Sequence, residues 1–244
     1  RRSLMQVNKI HSNGAFLNDL VKTTVDKYSK FYFELNERIS FIEKNLKIAE
    51  EKFMETIDVG LSLLNKEIKN LKDIRDTQLA HRTVKGVFQN NWDSLVKFVE
   101  IDSFTITQRR DSSVLDKEMT KRYGGVKTYK DIVIVDTLGF VSVKDSLFGF
   151  DNRYETMMYV PFSKNDDTKF ELKAGFLNQN GIDIPVFEAL VKKRVILHDE
   201  SLNLILKENQ VQSVDGVNGA SLKIGSMDEV NTNGNWPKNY SKDK

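Results

Sequence analysis

The chain has 244 residues, 39% hydrophobic and 30% charged, with 37 Lys and Arg against 35 Asp and Glu for a net charge of +2. That length holds one large or two modest domains, each able to bury a core, and the even charge argues against a dedicated nucleic-acid or anionic-membrane binder. With no cysteine, disulfides and thiolate metal sites are excluded, and no apolar run reaches the roughly 18 residues a membrane span needs.

The start, RRSLMQVNKI, is basic without the apolar core of a signal peptide. Lacking an initiating methionine, it reads as a processed or partial product. From Leu17 a single apolar track then runs through Leu20, Thr24, Tyr28, Phe31, Leu35, Ile39, Ile42, Leu46, Ala49, Phe53, Ile57, Leu61, Leu64 and Ile68 to Leu71. Its steps of three and four match the helical period, and no proline precedes Pro161. Read as one helix it is about 80 Å long and cannot bury its own stripe. The steps are too irregular for strict heptads. The weak point is Asp58-Val59-Gly60, a bend or the turn of a helical hairpin, since glycine costs about 1 kcal/mol against alanine inside a helix.

Past Arg75 the pattern loosens. A turn is expected near Gly86, a short helix from Trp92 to Glu100, and a strand at IDSFTITQ. Ser113-Val-Leu-Asp116 offers a helix start for LDKEMTKRY, and Gly124-Gly125 a C-cap and hinge. The domain boundary is placed there, between a helical docking region (1–125) and a β-rich domain (126–244). Beyond it the period becomes two. DIVIVDT, GFVSVKD, TMMYVPF, TKFELKAGF, RVILHD, LNLILKE and ASLKIGS are rich in β-branched and aromatic residues and bounded by turn formers. About seven such runs predict an antiparallel sandwich of jelly-roll type, giving an α+β chain. Asp215-Gly216 and Asn218-Gly219 suit tight hairpins. Pro185-Val-Phe-Glu-Ala-Leu-Val fits a helical insert or a buried strand equally.

Chemistry-bearing patterns are sparse. His11, His81 and His198 lie far apart without ligand-spaced partners, and no GxGxxG, P-loop, GxSxG or HExxH occurs. No catalytic residue, metal site or cofactor is therefore assigned. Asp166, Asp167, Asp183, Asp199 and Glu200 supply carboxylates for a paired-acid glycan hydrolase, and SKNDDTK and VDGVNGA carry oxygen ligands for Ca²⁺ without EF-hand spacing; solvated acids and turn chemistry account for both. Trp236 and Tyr240, in NGNWPKNYSKD, are candidate glycan or partner contacts, because an exposed aromatic face stacks on an apolar sugar face. Asn239-Tyr240-Ser241 matches a glycosylation sequon. Lys192-Lys193-Arg194 and Arg109-Arg110 read as solvated basic clusters.

Two stretches carry a resemblance: LNDLVKTTVDKYSKFYFELNERISFIEKNLKIAEEKFMETI as a stalk, and ASLKIGSMDEVNTNGNWP as an Asn- and Gly-rich close. In architecture the chain resembles virion structural proteins of tailed phages, of fibre, baseplate or neck type. The resemblance implies a non-enzymatic connecting component located in the virion and assembled in the host cytoplasm. Its partners would be other virion proteins or copies of itself, with a host surface glycan as a further candidate and no nucleic acid. Ile42, Leu46, Phe53, Ile57, Leu64 and Leu71 are the expected interface. A surface carbohydrate-binding module is the alternative.

Overall fold

The apolar track divides into two helices, α1 (Leu17–Tyr28) and α2 (Glu34–Lys85). The break falls at 29–33, where the Tyr28 carbonyl accepts from both the Phe31 and Tyr32 amides. Ser29 favours turns over helix interiors, and three consecutive aromatics lose rotamer freedom against a preceding helical turn. Glu34 and Glu37 then place negative charge in the first turn of α2, complementing its dipole. Asp58-Val59-Gly60 makes no turn: α2 runs straight through it, with open space around Gly60. The Leu17 amide donates to Glu50 Oε2 at 3.3 Å, so α1 returns along α2 and the helical hairpin lies at 29–33.

The computed structural model describes residues 17–210 and 216–237. They form a mixed α/β chain with a long N-terminal helix and antiparallel sheets, and the chain divides into two compact units between Asn65 and Lys66. In the first unit Val25 and Glu50 are buried, whereas Leu35, Ile39, Ile42, Leu46, Phe53, Ile57 and Leu64 are half-buried. In the second, the same helical face becomes core at Ile68, Leu71 and Ile74. The turn after α2 leads into α3 (Trp92–Ile101), which buries Leu95, Phe98 and Val99 and is capped by the Asn91 side chain on the Ser94 amide.

Strands β1 (Ser103–Leu115) and β2 (Tyr129–Ser142) pair antiparallel in a two-stranded ribbon, with a register shift between Ile106 and Thr107. A short helix α4 (Lys117–Arg122) joins them, started by the Asp116 carboxylate on the Glu118 and Met119 amides. After α5 (Val143–Leu147) and a 3-10 turn at Arg153–Glu155 comes a second sheet, in the order β3 (Glu171–Gln179), β4 (Ile182–Lys192), β5 (Ser221–Gly225). Helices α6 (Lys193–Ile196) and α7 (Leu202–Gln210) separate β4 from β5. Central β4 is buried on both faces from Val186 to Ala189, as befits a strand flanked on both edges and covered on both sides. This settles Pro185–Val191 as strand.

Several expectations are corrected. The described strands build a ribbon and a three-stranded sheet, with no sandwich closure among them. DIVIVDT and GFVSVKD merge into β2 and the start of α5, TMMYVPF is a turn held by the bridge Tyr159↔Lys169, and RVILHD and LNLILKE lie largely on α6 and α7. Short apolar runs carry no period that separates a strand from a packed helical turn. Gly124-Gly125 does end α4, with φ of 68° and 93° that suit glycine. It sits, however, inside the ribbon, where a boundary would separate strands paired from Ser103↔Ser142 to Leu115↔Tyr129.

Polar groups tie the second unit together. Arg153 donates to Asp73 Oδ2 and to Asp151 Oδ2, both at 2.9 Å, and lies over the Phe148 ring. Hydrogen bonds from Arg153 hold the Asp151 carboxyl below the usual range, whereas burial outweighs the same guanidinium at Asp73 and raises that carboxyl. Lys193, 5% exposed rather than solvated, donates to the Val217 carbonyl at 2.6 Å and to the carbonyl and carboxylate of Glu208. At Gly225, with φ of 75°, a Cβ would collide with the Phe187 carbonyl, so no other residue fits at this end of the pairing between β5 and β4.

Glu67 is an exception to this pairing. Its side chain is 0% exposed and neither carboxylate oxygen has a hydrogen-bond partner; burial pushes its carboxyl up to about 8. Because the folded state holds the proton more tightly than the unfolded chain, this stabilisation is complete below about pH 4.5 and is lost as pH rises through about 8. Glu67→Gln should therefore change little at pH 4 and stabilise by about 4 kcal/mol at pH 8.5. Urea melts of both proteins across that range check this, and parallel pH profiles would refute it.

Candidate functional site

In the first unit, the connection from α1 to α2 places Tyr28, Phe31, Tyr32 and Phe33 in solvent, Phe31 at 77% exposure, beside the exposed Lys27 and Lys30. Phe41 is likewise exposed on α2. Large apolar surface left in water marks an interaction site, and aromatic rings interleaved with cations suit nucleic acid, where bases stack and phosphates pair. Ile42, Leu46, Phe53, Ile57 and Leu64 keep partial access on the stripe of α2. Leu71 has none, being 0% exposed in the core of the second unit.

The end of α2 is fixed by side chains reading the turn that follows. Gln78, fully buried, donates from Nε2 to the Gln89 carbonyl at 2.6 Å and accepts the Gln89 amide at 2.9 Å, an exchange like that of paired strand residues. His81 Nδ1 lies 2.6 Å from the Val87 carbonyl. A carbonyl only accepts, so Nδ1 carries the proton. The ring meets Phe98 edge-on at 4.8 Å. Lys85 pairs with Asp102 at 2.6 Å. His81 thus locks a turn.

The other candidates are dispersed. His198 pairs locally with Asp199 at 3.1 Å, and Asp183 accepts from Asn178 at 2.7 Å beside the β3–β4 turn. Asp166 and Asp167 are exposed, and no three His, Asp or Glu converge among the described residues. In SKNDDTK, Ser163 and Thr168 both bond the Asn165 carbonyl in a turn. His11, Tyr240, the sequon at 239–241 and the first residues of VDGVNGA lie outside the described residues. Trp236 is half-buried, its ring lying where a Cβ on Gly234 would point, so one part of the indole is already covered. Nearby, Lys223, Ser226, Asp228, Glu229 and Asn231 help line an open cleft of about 240 Å³. No helix among the described residues is long and apolar enough to cross a membrane.

Comparison with known proteins bears on the helical part. Residues 1–86, which contain the whole of α1 and α2, match the model of the family described as tRNA synthetases class II (A). The chain is 38% identical over 80 residues to the alanine-tRNA ligase of Alkaliphilus oremlandii, covering 33% of this chain and 9% of that protein. It is 40% identical over 79 residues to that of Enterococcus faecalis, covering 32% and 9%. A weaker likeness, 22% over 193 residues, joins it to that of Bacillus pumilus, covering 78% and 22%. The chain thus spans between 9% and 22% of the length of these relatives. No solved structure gives a significant match.

These findings overturn the phage-virion reading. The relatives are named as ligases of alanine and tRNA, which removes the ground for a non-enzymatic family located in virions, for virion proteins, copies of itself or a host glycan as partners, and for the exclusion of nucleic acid. A stripe of apolar residues shows that something must cover a helix and leaves the identity of the cover open. Near-neutral net charge failed as an argument against nucleic acid because it averages over local clusters of one sign. The signal that was missed lies in the particular residues of 1–86, which carry no catalytic motif.

Gln78→Ala should cost about 1–3 kcal/mol, since it removes the partner of both the half-buried Gln89 amide and carbonyl, whereas Gln89→Ala, which retains both main-chain groups, should cost under half as much. Denaturant unfolding distinguishes them; equal costs would show that the exchange does not hold the turn.

Proposed function

We propose that the chain is a portion of an alanine-tRNA ligase-type enzyme that takes part in joining alanine to tRNA, with tRNA, alanine and ATP as partners of the whole enzyme, in the cytoplasmic compartment of translation. The observation that carries this reading is the coincidence of the family match over residues 1–86 with identities of 38% and 40% over about the same length. The exposed aromatic and basic turn between α1 and α2 supports it, because it offers stacking faces and phosphate partners together. The half-covered stripe from Ile42 to Leu64 is the face on which a further part of such an enzyme packs.

Filter binding of the full 244-residue chain to a tRNA that accepts alanine, against one that accepts phenylalanine, tests the proposal. Retention of the alanine acceptor at least about tenfold more tightly, a difference of about 1.4 kcal/mol, is expected; equal retention of both would overturn it.

A further inference from the structure

The ribbon formed by β1 and β2 ends in an ordered, strongly basic tip. Residues 116–130 contain Lys117, Lys121, Arg122, Lys127 and Lys130 against Asp116 and Glu118, and all five cations are exposed. The Asp116 carboxylate is committed to the Glu118 and Met119 amides. The one ion pair on the ribbon among the described residues joins Arg110 to Asp136 at 2.9 Å, away from the tip. The five cations therefore have no carboxylate partner among the described residues.

The tip is held in one shape. The Asp116 amide donates to the Thr128 carbonyl at 2.7 Å, the Thr128 amide to Thr120 Oγ1 at 3.0 Å, and the Gly125 amide to the Thr120 carbonyl at 2.9 Å. Lys117 and Lys121 are four apart on α4 and share a face, and Lys130 sits opposite Val114 at the end of the ladder. Tyr123 and Tyr129 are 58% and 59% exposed. Nothing lies within 4 Å of the Cβ positions of Gly124 and Gly125, so another chain can approach the backbone there.

We infer that this tip is an RNA contact, in which the cations take successive phosphates and Tyr123 or Tyr129 stacks on an unpaired base. An acidic protein surface would use the charges and leave both tyrosines idle, whereas unpaired cations beside exposed rings are the combination that tracks a nucleic-acid strand. The inference rests on the proposed function for its source of RNA, a tRNA, and assigns to that function a second element separate in sequence from residues 1–86.

The test compares the full chain with Lys121→Glu/Arg122→Glu/Lys127→Glu, with the neutral Lys121→Gln/Arg122→Gln/Lys127→Gln, and with Tyr123→Ala/Tyr129→Ala. Filter binding to both tRNAs above is measured across a salt series. Charge reversal should weaken binding to both tRNAs at least about tenfold and flatten the salt dependence by about two to three phosphates, because each neutralised phosphate adds a nearly fixed increment to the slope. The neutral variant should fall between, and loss of both tyrosines should weaken binding at least about fivefold. Unchanged affinity and slope in a charge variant whose melting curve is intact would overturn the inference. So would equally tight binding of polyglutamate or of phosphatidylserine vesicles.

The two readings fail separately. A preference for the alanine acceptor that survives in the charge variants, with no loss of affinity, leaves the proposed function standing and removes the tip. Loss of affinity in those variants without any preference in the parent chain does the reverse.

Discussion

One face of α2 from Glu67 to His81 is the constraint on which the second unit is assembled. Ile68, Leu71 and Ile74 bury almost completely, and the side chains flanking them bond to whatever packs there. Asn70 reaches the Tyr159 carbonyl, Asp73 holds Arg153, Thr77 meets the Met157 sulfur, and Gln78 and His81 read the turn at 87–89. Each turn of the helix therefore makes both an apolar and a directional contact. Burial supplies most of the favourable free energy; the hydrogen bonds choose which segment lies against which turn, because a misplaced segment would strand buried polar groups.

Against that background Glu67 is an anomaly, a carboxyl placed in the core without a donor. Neutral, it costs little more than any buried polar group, and ionised it would be expensive. The same helix thus carries two kinds of buried polar residue, one fully satisfied and useful for specificity, as at Gln78, and one that makes stability depend on proton concentration.

Helical periodicity made much of residues 17–75 legible, including which residues share a face, because amphipathic spacing is a direct image of burial. It could not locate the break at 29–33, since Tyr28 and Phe31 continue the period while the backbone turns. The short helix at 92–101 and a strand following it were legible from local chemistry, and so was a helix within LDKEMTKRY, although its cap is Asp116 itself and Ser113 to Leu115, read as the helix start, belong to β1. The sandwich was not, because RVILHD and LNLILKE alternate no differently as packed helical turns than as strands. Function was least legible. Periodicity says how a side chain meets water, and identity to relatives depends on the particular residues, which no pattern of hydrophobicity preserves. Net charge likewise hid the basic tip at 116–130, where Lys and Arg outnumber Asp and Glu.

Lys193 shows what a fully occupied ammonium implies. Its Nζ is surrounded by three oxygens, from Val217 and Glu208, and the residue as a whole is 5% exposed. An amine in that position is withheld from reagents and enzymes that act on free lysine. Acylation and methylation of amines would pass over it while taking the flanking Lys192, which like Arg194 is open to water. In a run of three basic residues, the middle one serves as an internal rivet and only its neighbours belong to the surface.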